Sequence, residues 1–529
     1  MFAGVRERFT HSRRRIAHAA ICILAGAGLV AALGPMGASA SAGQAAPPAK
    51  PSGTTAAGHI VEAARAALHD PCPRSRDLHV GPTDGAFFST VAPFEHFASD
   101  RTQLFPYTCT LAEIAGPGPV SIAAREAPDN YTTPYIPVTR DRNQLYVYGY
   151  QPNPQTQGAY VASVNPVTLA QRWRVQIKVP PPGQCSYPGV LLAHGNGFLY
   201  AIYGNVLVKL DPATGQTVAR RILPENPNGT GAAYNGMIVL PDGRIVAKGI
   251  ERGPCKLSGT FGGLLCSIHN GLPTPVVVVD PTHLKILSVL KPPEPVTGRI
   301  TAGQVGHTEY VYMAEHNTLV RYRYSHRDGT LHLDNRWRPV TYRTGRQTPG
   351  TGPGLLGNWL VVSSNFVPSR ATMTITAANI HNSGRTFQIR PFAAATRRTG
   401  LSFSPSKAAL DPATNNVYMD DTGGGELVGL HLNPRRGFSV MWRDRINSLD
   451  FVALAGPAAH PQLVFTDYKG GADHVVWIDG TTGHLLAESG PLAAKPAPAN
   501  IVTPGFAGRF YYLGAQGQLW ELHPVHVTR

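Results

Sequence analysis

The chain has 529 residues, of which 43% are hydrophobic and 15% are charged, and it contains 56 Gly and 47 Pro. So many Gly and Pro residues exclude a mostly helical bundle and a coiled coil, because both residues destabilise helix interiors, and the apolar fraction excludes a disordered chain. The formal net charge is +15, and the length allows about three domains of ~150 residues or one longer all-β repeat unit.

Residues 1–42 have the pattern of a secretory signal peptide. Five arginines precede an uncharged run from 19 to 33, and small residues with an Ala-x-Ala site follow up to Ala42. The run is shorter than the ~20 residues that a spanning helix needs, so we expect cleavage, export to the cell envelope or outside the cell, and no stable membrane span. The segment 12–16 resembles a twin-arginine export signal, and an ordinary general-secretion leader is the alternative.

The mature chain is predicted to be moderately basic. Without the leader's five Arg and one Glu, the formal charge falls from +15 to +11. We expect no nucleic-acid partner for an exported protein, so the excess charge either faces anionic polymers of the envelope or keeps the protein soluble.

Five cysteines follow the leader, and an exported protein meets an oxidising environment in which disulfides form. Proximity in the sequence favours one bond between Cys255 and Cys266 and one between Cys72 and Cys109, with Cys185 left over; other pairings stay open. No two cysteines are adjacent, and their spacing matches neither a zinc site nor a haem attachment site.

Residues 43–132 are predicted to be a flexible linker followed by an N-terminal extension. The stretch 43–58 is rich in Ala, Pro, Gly and Thr, which is typical of linkers. An amphipathic helical pattern covers 59–69, and 71–130 has no regular pattern.

A hairpin pattern recurs from residue 133 onward. A short apolar strand is followed by an Asp-x-x-Thr-Gly turn and a second strand, in which the Asp side chain accepts from backbone amides and Gly takes the positive φ of the turn. The two clearest copies place the turn at Asp211–Gly215 and Asp479–Gly483, and looser copies begin at Asn165 and Asp280.

An additional strand lies upstream of each hairpin, and eight such strands begin at positions 144, 197, 243, 308, 358, 416, 462 and 508. Four-stranded units at this spacing are typical of a β-propeller. Residues 133–525 allow about 49 residues for each of eight blades or about 56 for each of seven, so we predict an all-β propeller domain over 133–529 with eight blades and keep seven as the alternative. A β-solenoid is a further alternative. The last unit lacks its fourth strand, which we expect from the N-terminal side, at 85–91 or 118–123.

The turn motif resembles the tryptophan-docking repeat of pyrroloquinoline quinone (PQQ) propellers, the quinoprotein alcohol dehydrogenase-like superfamily. In that repeat a Trp follows the Thr-Gly turn. The matching residues are Asn165, Thr168, Trp173, Asp211, Thr214, Gly215, Asp479, Thr482 and Gly483. The resemblance implies an eight-bladed propeller. For a quinone-dependent member, the resemblance implies a quinone ring held against a disulfide of adjacent cysteines, with a calcium ion nearby. This sequence has no two adjacent cysteines, which argues against PQQ here.

Two acidic hairpins are candidates for a calcium site. Asp420, Asp421 and Glu426 in the sixth unit match Asp467 and Asp473 in the seventh, with carboxylates on either side of Gly residues. Such oxygen donors suit Ca²⁺, which takes six to eight oxygens, and solvated turns whose acids cap their own amides are the alternative.

Glu315 and His316 lie on the equivalent connection of the fourth unit. A carboxylate beside an imidazole near the channel would serve as an acid/base pair in a hydrolase. An exposed, inert pair is the alternative.

Arginines concentrate in the fourth unit, where Arg321 and Arg323 alternate with Tyr322 and Tyr324. One face of this strand is therefore predicted to be basic and the other aromatic. Either Tyr and Arg together bind an acidic glycan, or Tyr packs between blades while Arg faces solvent. The tryptophans, including Trp173 and Trp442, are predicted to pack between blades.

Together these patterns favour an exported, non-catalytic propeller that binds a protein or carbohydrate partner at its face. The alternative is an oxidoreductase or hydrolase with a metal or quinone site in the channel. No nucleophile elbow, zincin helix or phosphate-binding loop motif is present.

Overall fold

The computed structural model describes residues 70–151, 158–178, 189–225, 233–251, 270–344, 347–366, 372–458, 460–494 and 496–527. In this part of the chain the strands form eight sheets of four main strands each, joined in sequence order. The protein is therefore an all-β, eight-bladed β-propeller, which confirms the predicted fold and excludes the seven-bladed alternative.

Four short elements precede the first blade. They are α1 (Pro73–Arg76), β1 (Leu104–Phe105), α2 (Leu111–Ala115) and β2 (Val120–Glu126).

Each blade is a meander of antiparallel strands, numbered here from the channel outward. Blade 1 has β3 (Pro134–Asp141), β4 (Gln144–Gln151), β5 (Gly158–Val164) and β6 (Gln171–Lys178). Blade 2 has β7 (Val190–Ala193), β8 (Leu199–Tyr203), β9 (Val206–Leu210) and β10 (Thr217–Ile222). Blade 3 has β11 (Ala233–Val239), β12 (Ile245–Ile250), β13 (Val276–Asp280) and β14 (Lys285–Leu290). Blade 4 has β15 (Thr301–Val305), β16 (Thr308–Ala314), β17 (Thr318–Ser325), β18 (Thr330–Leu333) and β19 (Val340–Thr341), of which the last two share the edge of β17.

Blades 5 to 8 follow the same plan. Blade 5 has β20 (Gln347–Pro349) and β21 (Gly354–Leu356) as two halves of its inner strand, then β22 (Trp359–Phe366), β23 (Ile375–Asn379) and β24 (Thr386–Ile389). The helix α3 (Ala393–Thr399) precedes blade 6, which has β25 (Ala409–Asp411), β26 (Asn416–Asp421), β27 (Glu426–Asn433) and β28 (Gly437–Asp444). Blade 7 has β29 (Ala453–Ala455), β30 (Gln462–Lys469), β31 (Ala472–Asp479) and β32 (Leu485–Glu488), and blade 8 has β33 (Thr503–Pro504), β34 (Phe510–Leu513) and β35 (Leu519–His526). None of the described helices is long and apolar enough to cross a membrane.

The core lies between neighbouring blades. The three inner strands of blade 2 are buried at every position, whereas its outer strand β10 is mostly exposed. Because each blade is covered on both faces, its inner strands are mostly apolar instead of alternating between apolar and polar residues.

The outer strand of blade 8 comes from the N-terminal side of the chain. All seven residues of β2 pair with β35, from Val120 opposite His526 to Glu126 opposite Trp520. This strand overlaps the second of the two predicted closing segments, and it covers an edge that would otherwise be free to pair with another chain.

The recurring turn has the chemistry that its sequence predicts. Asp211 Oδ1 accepts from the amides of Ala213 and Thr214 at 2.9 Å and from the Thr214 hydroxyl at 2.9 Å, and Gly215 has a φ of 75°. The turn at Asp479 repeats these bonds. The hairpin geometry is therefore fixed by local contacts.

Each of these turns also joins two blades. A Cβ on Gly215 would lie 2.5 Å from Trp173 of the preceding blade, so only Gly lets the indole pack there. Trp442 packs on the turn of blade 7 and donates to Gly480 O at 2.9 Å, and Tyr146 donates to Pro212 O at 2.7 Å. Both tryptophans therefore pack between blades, as predicted.

Candidate functional site

The N-terminal extension runs round the inside of the propeller. Backbone amides of the inner strands donate to its carbonyls in chain order. The pairs are Thr139 to Ala92 (3.0 Å), Ala193 to Pro93 (2.8 Å), Ala302 to Ser99 (2.8 Å), Leu355 to Asp100 (2.9 Å), Leu410 to Thr102 (2.8 Å) and Leu454 to Gln103 (2.8 Å). Blade 3 joins this series through the Ser99 hydroxyl, which donates to Val239 O at 2.7 Å. Residues 92–103, called the channel segment below, therefore contact blades 1 to 7 in succession and fill the channel.

The channel segment bends tightly because three of its residues adopt left-handed backbone conformations. Phe97, Arg101 and Gln103 have φ values of 72°, 57° and 65°. A non-glycine residue there is strained and persists only where its surroundings hold it in place. The inner-strand hydrogen bonds supply that constraint.

A buried ion cluster holds the channel segment to blade 4. Glu95 accepts from Arg101 at 2.6 Å and from Arg299 at 3.2 Å, and Tyr135 donates to it at 3.1 Å. Burial alone would raise the pKa of Glu95, but the positive charges of Arg299 and Arg101 hold it below its usual value. The carboxylate is thus ionised, and both of its oxygens accept hydrogen bonds from side chains of the protein.

Two further titratable groups lie in the channel. Lys407 donates to the carbonyl of Ala408 at 2.8 Å, and burial followed by the charge of Arg101 lowers its pKa to about 7. His96 is buried against Phe451, with ring centroids 4.6 Å apart, and burial lowers its pKa well below the usual value.

The acidic hairpin of blade 6 begins at the end of β26. Asp420 is buried and accepts from the hydroxyls of Ser404 at 2.9 Å and Ser406 at 2.5 Å. Asp421 accepts from the amide of Gly424 at 3.0 Å, and burial raises its pKa to about 7. Glu426 instead forms a 2.9 Å ion pair with Arg443.

The hairpin of blade 7 likewise has one buried carboxylate and one near a surface cation. Asp467 accepts from the amide of Asn447 at 3.0 Å and lies 3.6 Å from Lys469. Asp473 is buried, accepts from the hydroxyl of Tyr512 in blade 8, and has its pKa raised to about 7 by burial. Its Oδ1 has no partner among the described residues.

Asp450 is a buried carboxylate that the sequence patterns did not indicate. It lies just before β29 and accepts from Thr466 at 2.9 Å. Burial, with the nearby charge of Asp473, raises its pKa well above the usual value. Its surroundings come from separate segments, so no local motif marks it.

These carboxylates do not form a metal centre in the described part of the chain. No group of three or more His, Cys, Asp or Glu residues there is placed to hold a metal ion. Asp420, Asp421 and Asp473 are held by hydroxyls and amides of the protein, while Glu426 and Asp467 contact surface cations.

Glu315 lies on the connection between β16 and β17. It is buried and accepts from Tyr322 at 2.8 Å, and burial raises its pKa to about 7. The carbonyl of the adjacent His316 accepts from Arg343. Glu315 therefore binds a tyrosine of its own blade.

The arginines of blade 4 fall into two groups. Arg321 is buried, forms a 2.5 Å ion pair with Asp334 and stacks 4.1 Å from the centre of the Tyr310 ring. The prediction that arginines of this strand face solvent is therefore wrong for Arg321, because its guanidinium also donates to Ile380 O of blade 5. Arg323 is exposed, and Tyr322 and Tyr324 pack in the core, as predicted.

The disulfide predicted between Cys72 and Cys109 is present, with Cα atoms 5.6 Å apart. It joins the N-terminal end of α1 to the residue before the α2 N-cap. Cys185, Cys255 and Cys266 lie outside the described residues.

No protein-family model and no curated protein matches this chain. Among solved structures, it is similar to the quinohemoprotein alcohol dehydrogenase from Comamonas testosteroni, with a TM-score of 0.53 and 12% identity over 89% of this chain and 85% of that chain. It is also similar to a europium-containing methanol dehydrogenase, with a TM-score of 0.50 and 9% identity over 85% of this chain and 90% of that chain. The chain therefore has a PQQ-type propeller fold, as its turn motif implied.

The residues present do not fit PQQ in the channel. The channel segment fills that space and is hydrogen-bonded to the strands that line it. The described disulfide joins cysteines 37 residues apart, unlike the adjacent pair implied by the resemblance. We therefore derive no chemical step through a quinone.

Proposed function

We propose that this protein is an exported, non-catalytic β-propeller that binds a protein or carbohydrate partner on its outer surface. The leader predicted for residues 1–42 supplies the export signal. Fold alone is a weak argument for function, so the proposal depends on how the channel is used.

The channel segment is the observation that carries the proposal. Ligand sites need a concave space with a few converging polar groups. In this protein that space is taken by the segment, whose carbonyls accept from inner strands of six blades. We therefore expect a partner to bind on the outer surface of the propeller.

The charged groups of the channel support the same proposal. Glu95 forms ion pairs with both Arg101 and Arg299, and Lys407 donates to backbone carbonyls. These buried groups have their hydrogen-bonding partners inside the protein, which offsets the cost of burying them, whereas catalytic groups need access to a substrate.

A cofactor titration tests the proposal. Purified mature protein is incubated with Ca²⁺ and PQQ, and its melting temperature, the quinone absorption and dye reduction with alcohols and sugars are measured. We expect no saturable rise in melting temperature and no dye reduction, because the channel segment is hydrogen-bonded to the strands that line the channel. An apo-quinoprotein dehydrogenase is the positive control.

The opposite result favours the oxidoreductase alternative. Saturable stabilisation by PQQ together with dye reduction would show a working quinone site, and the non-catalytic proposal would then be wrong.

A further inference from the structure

The outer edge of blade 4 carries exposed cations without carboxylate partners. Its residues, called the blade 4 basic edge below, are Arg323, Arg327, His332, Arg336 and Arg338, and all are exposed. None of the four arginines forms an ion pair or a side-chain hydrogen bond with a described residue. Their charge therefore faces solvent.

The two nearby carboxylates, Asp334 and Asp328, make contacts within blade 4. Asp334 pairs with buried Arg321 at 2.5 Å and accepts from the amide of Arg336 at 3.0 Å. Asp328 accepts from the hydroxyl of Thr330 at 2.7 Å. Asp328 keeps its negative charge, so four exposed arginines face one carboxylate and the edge has an excess of positive charge.

The strand register places two of these residues side by side, and the others follow in the adjoining turns. Arg323 lies directly opposite His332 in the β17–β18 ladder. The amide of Asp334 donates to Arg321 O at 2.9 Å, two residues along the strand, or roughly 7 Å at ~3.3 Å per residue. A turn then leads to β19, and in it Arg336 and Arg338 flank buried Trp337.

The aromatic side chains beside this edge contact other residues of the protein. Trp337 is buried and donates to Asn379 O at 3.0 Å, and Tyr310 lies under the Arg321 guanidinium. The exposed large apolar residue of the edge is Leu333, at 45% exposure. A protein interface normally has an apolar, aromatic-rich core, and single-stranded nucleic acid normally stacks on exposed aromatic rings, so neither matches this surface.

We propose that the blade 4 basic edge binds an anionic polysaccharide, a sugar polymer with carboxylate or sulfate groups. This inference rests on the proposed binding function and names the partner of that function. Arginine suits the partner because its planar guanidinium forms paired hydrogen bonds with such anions. Regularly spaced charges along a polymer would meet several of these side chains at once.

A charge-removal experiment tests this site. Binding of purified protein to polygalacturonate and to dextran sulfate is measured by biolayer interferometry at low and high salt, with neutral dextran as a blank. We expect salt-sensitive binding to at least one anionic polymer. The triple variant R323Q/R336Q/R338Q should bind at least about tenfold more weakly, since three surface ion contacts to the polymer are lost together.

A matched variant controls for net charge. R221Q/R390Q/R435Q also removes three exposed arginines. Arg221 lies in β10, Arg390 lies between β24 and α3, and Arg435 lies between β27 and β28. We expect the affinity of this variant to stay within about twofold to threefold of the wild type. Equal loss in both variants would show a diffuse effect of charge and overturn the site. Unchanged melting temperatures confirm that both variants are folded.

The remaining outcomes separate the partner from the proposed function. Absence of binding to either anionic polymer would overturn the polysaccharide inference, while the cofactor titration would still decide the non-catalytic proposal. Tighter binding of polyglutamate or duplex DNA than of both polysaccharides would also show that the polysaccharide assignment is wrong.

Discussion

The free energy of unfolding should depend on pH through individual buried carboxylates. Asp473 is buried at the junction of blades 7 and 8, and burial raises its pKa to about 7. Its folded-state pKa is thus above the unfolded value of ~3.9, so its contribution to stability is present at low pH and is lost as pH rises toward 7.

The substitution Asp473→Asn should remove this pH dependence. Asn has the same shape, can still accept from Tyr512 and cannot ionise. Between pH 5 and pH 8 the wild type should lose on the order of 2 kcal/mol of unfolding free energy through this group. The variant should therefore gain about that amount relative to the wild type over the same range, as measured by urea unfolding at each pH.

Asp77→Asn is the matched control, because its side chain is 71% exposed. It removes one carboxylate without changing a buried one, so its stability relative to the wild type should stay nearly constant. If Asp473→Asn shows no greater pH dependence than this control, Asp473 is not a buried protonated carboxyl.

Among structural elements, the loop that contains the channel segment is closed by the Cys72–Cys109 disulfide. The closed loop spans 37 residues and contains the whole channel segment. After the loop, β2 pairs along its full length with β35. The N-terminal extension is therefore attached at the disulfide, inside the ring and at the outer strand of blade 8.

The double substitution Cys72→Ser/Cys109→Ser should lower the free energy of unfolding by about 3–4 kcal/mol. A loop of this length restricts the unfolded chain by that amount in the chain-entropy account. Urea unfolding measures the loss, and non-reducing peptide mapping of the wild type identifies the bond.

Cys185→Ser is the comparison variant and should change stability little. The assignment is wrong if the peptide map joins Cys72 to a different cysteine, or if the double variant is as stable as the wild type.

The elements that could be predicted from the sequence are those whose contacts are local or periodic. The Asp211 turn is fixed by bonds to residues two and three positions later, and the strand spacing gave the number of blades. The closing strand followed from counting strands in the last unit.

At the scale of the whole molecule, the channel segment could not be predicted because its contacts are neither local nor periodic. Glu95 and Arg299 are 204 residues apart, and Gln103 donates to Val452 across 349 residues. Asp450 was also missed, since its neighbours Thr466 and Asp473 come together only when the strands of blade 7 pair. The candidate site residues were visible as charged side chains, but their burial and partners depend on packing between blades.

The N-terminal extension lies inside the propeller channel, and the proposed function depends on this placement. Six inner-strand amides donate to the channel segment, at Thr139, Ala193, Ala302, Leu355, Leu410 and Leu454. Hydrogen–deuterium exchange with residue-level fragmentation measures their protection directly. We predict that all six exchange as slowly as the amides of the β8–β9 ladder; fast exchange at these six positions alone, with the ladder still protected, would contradict the account.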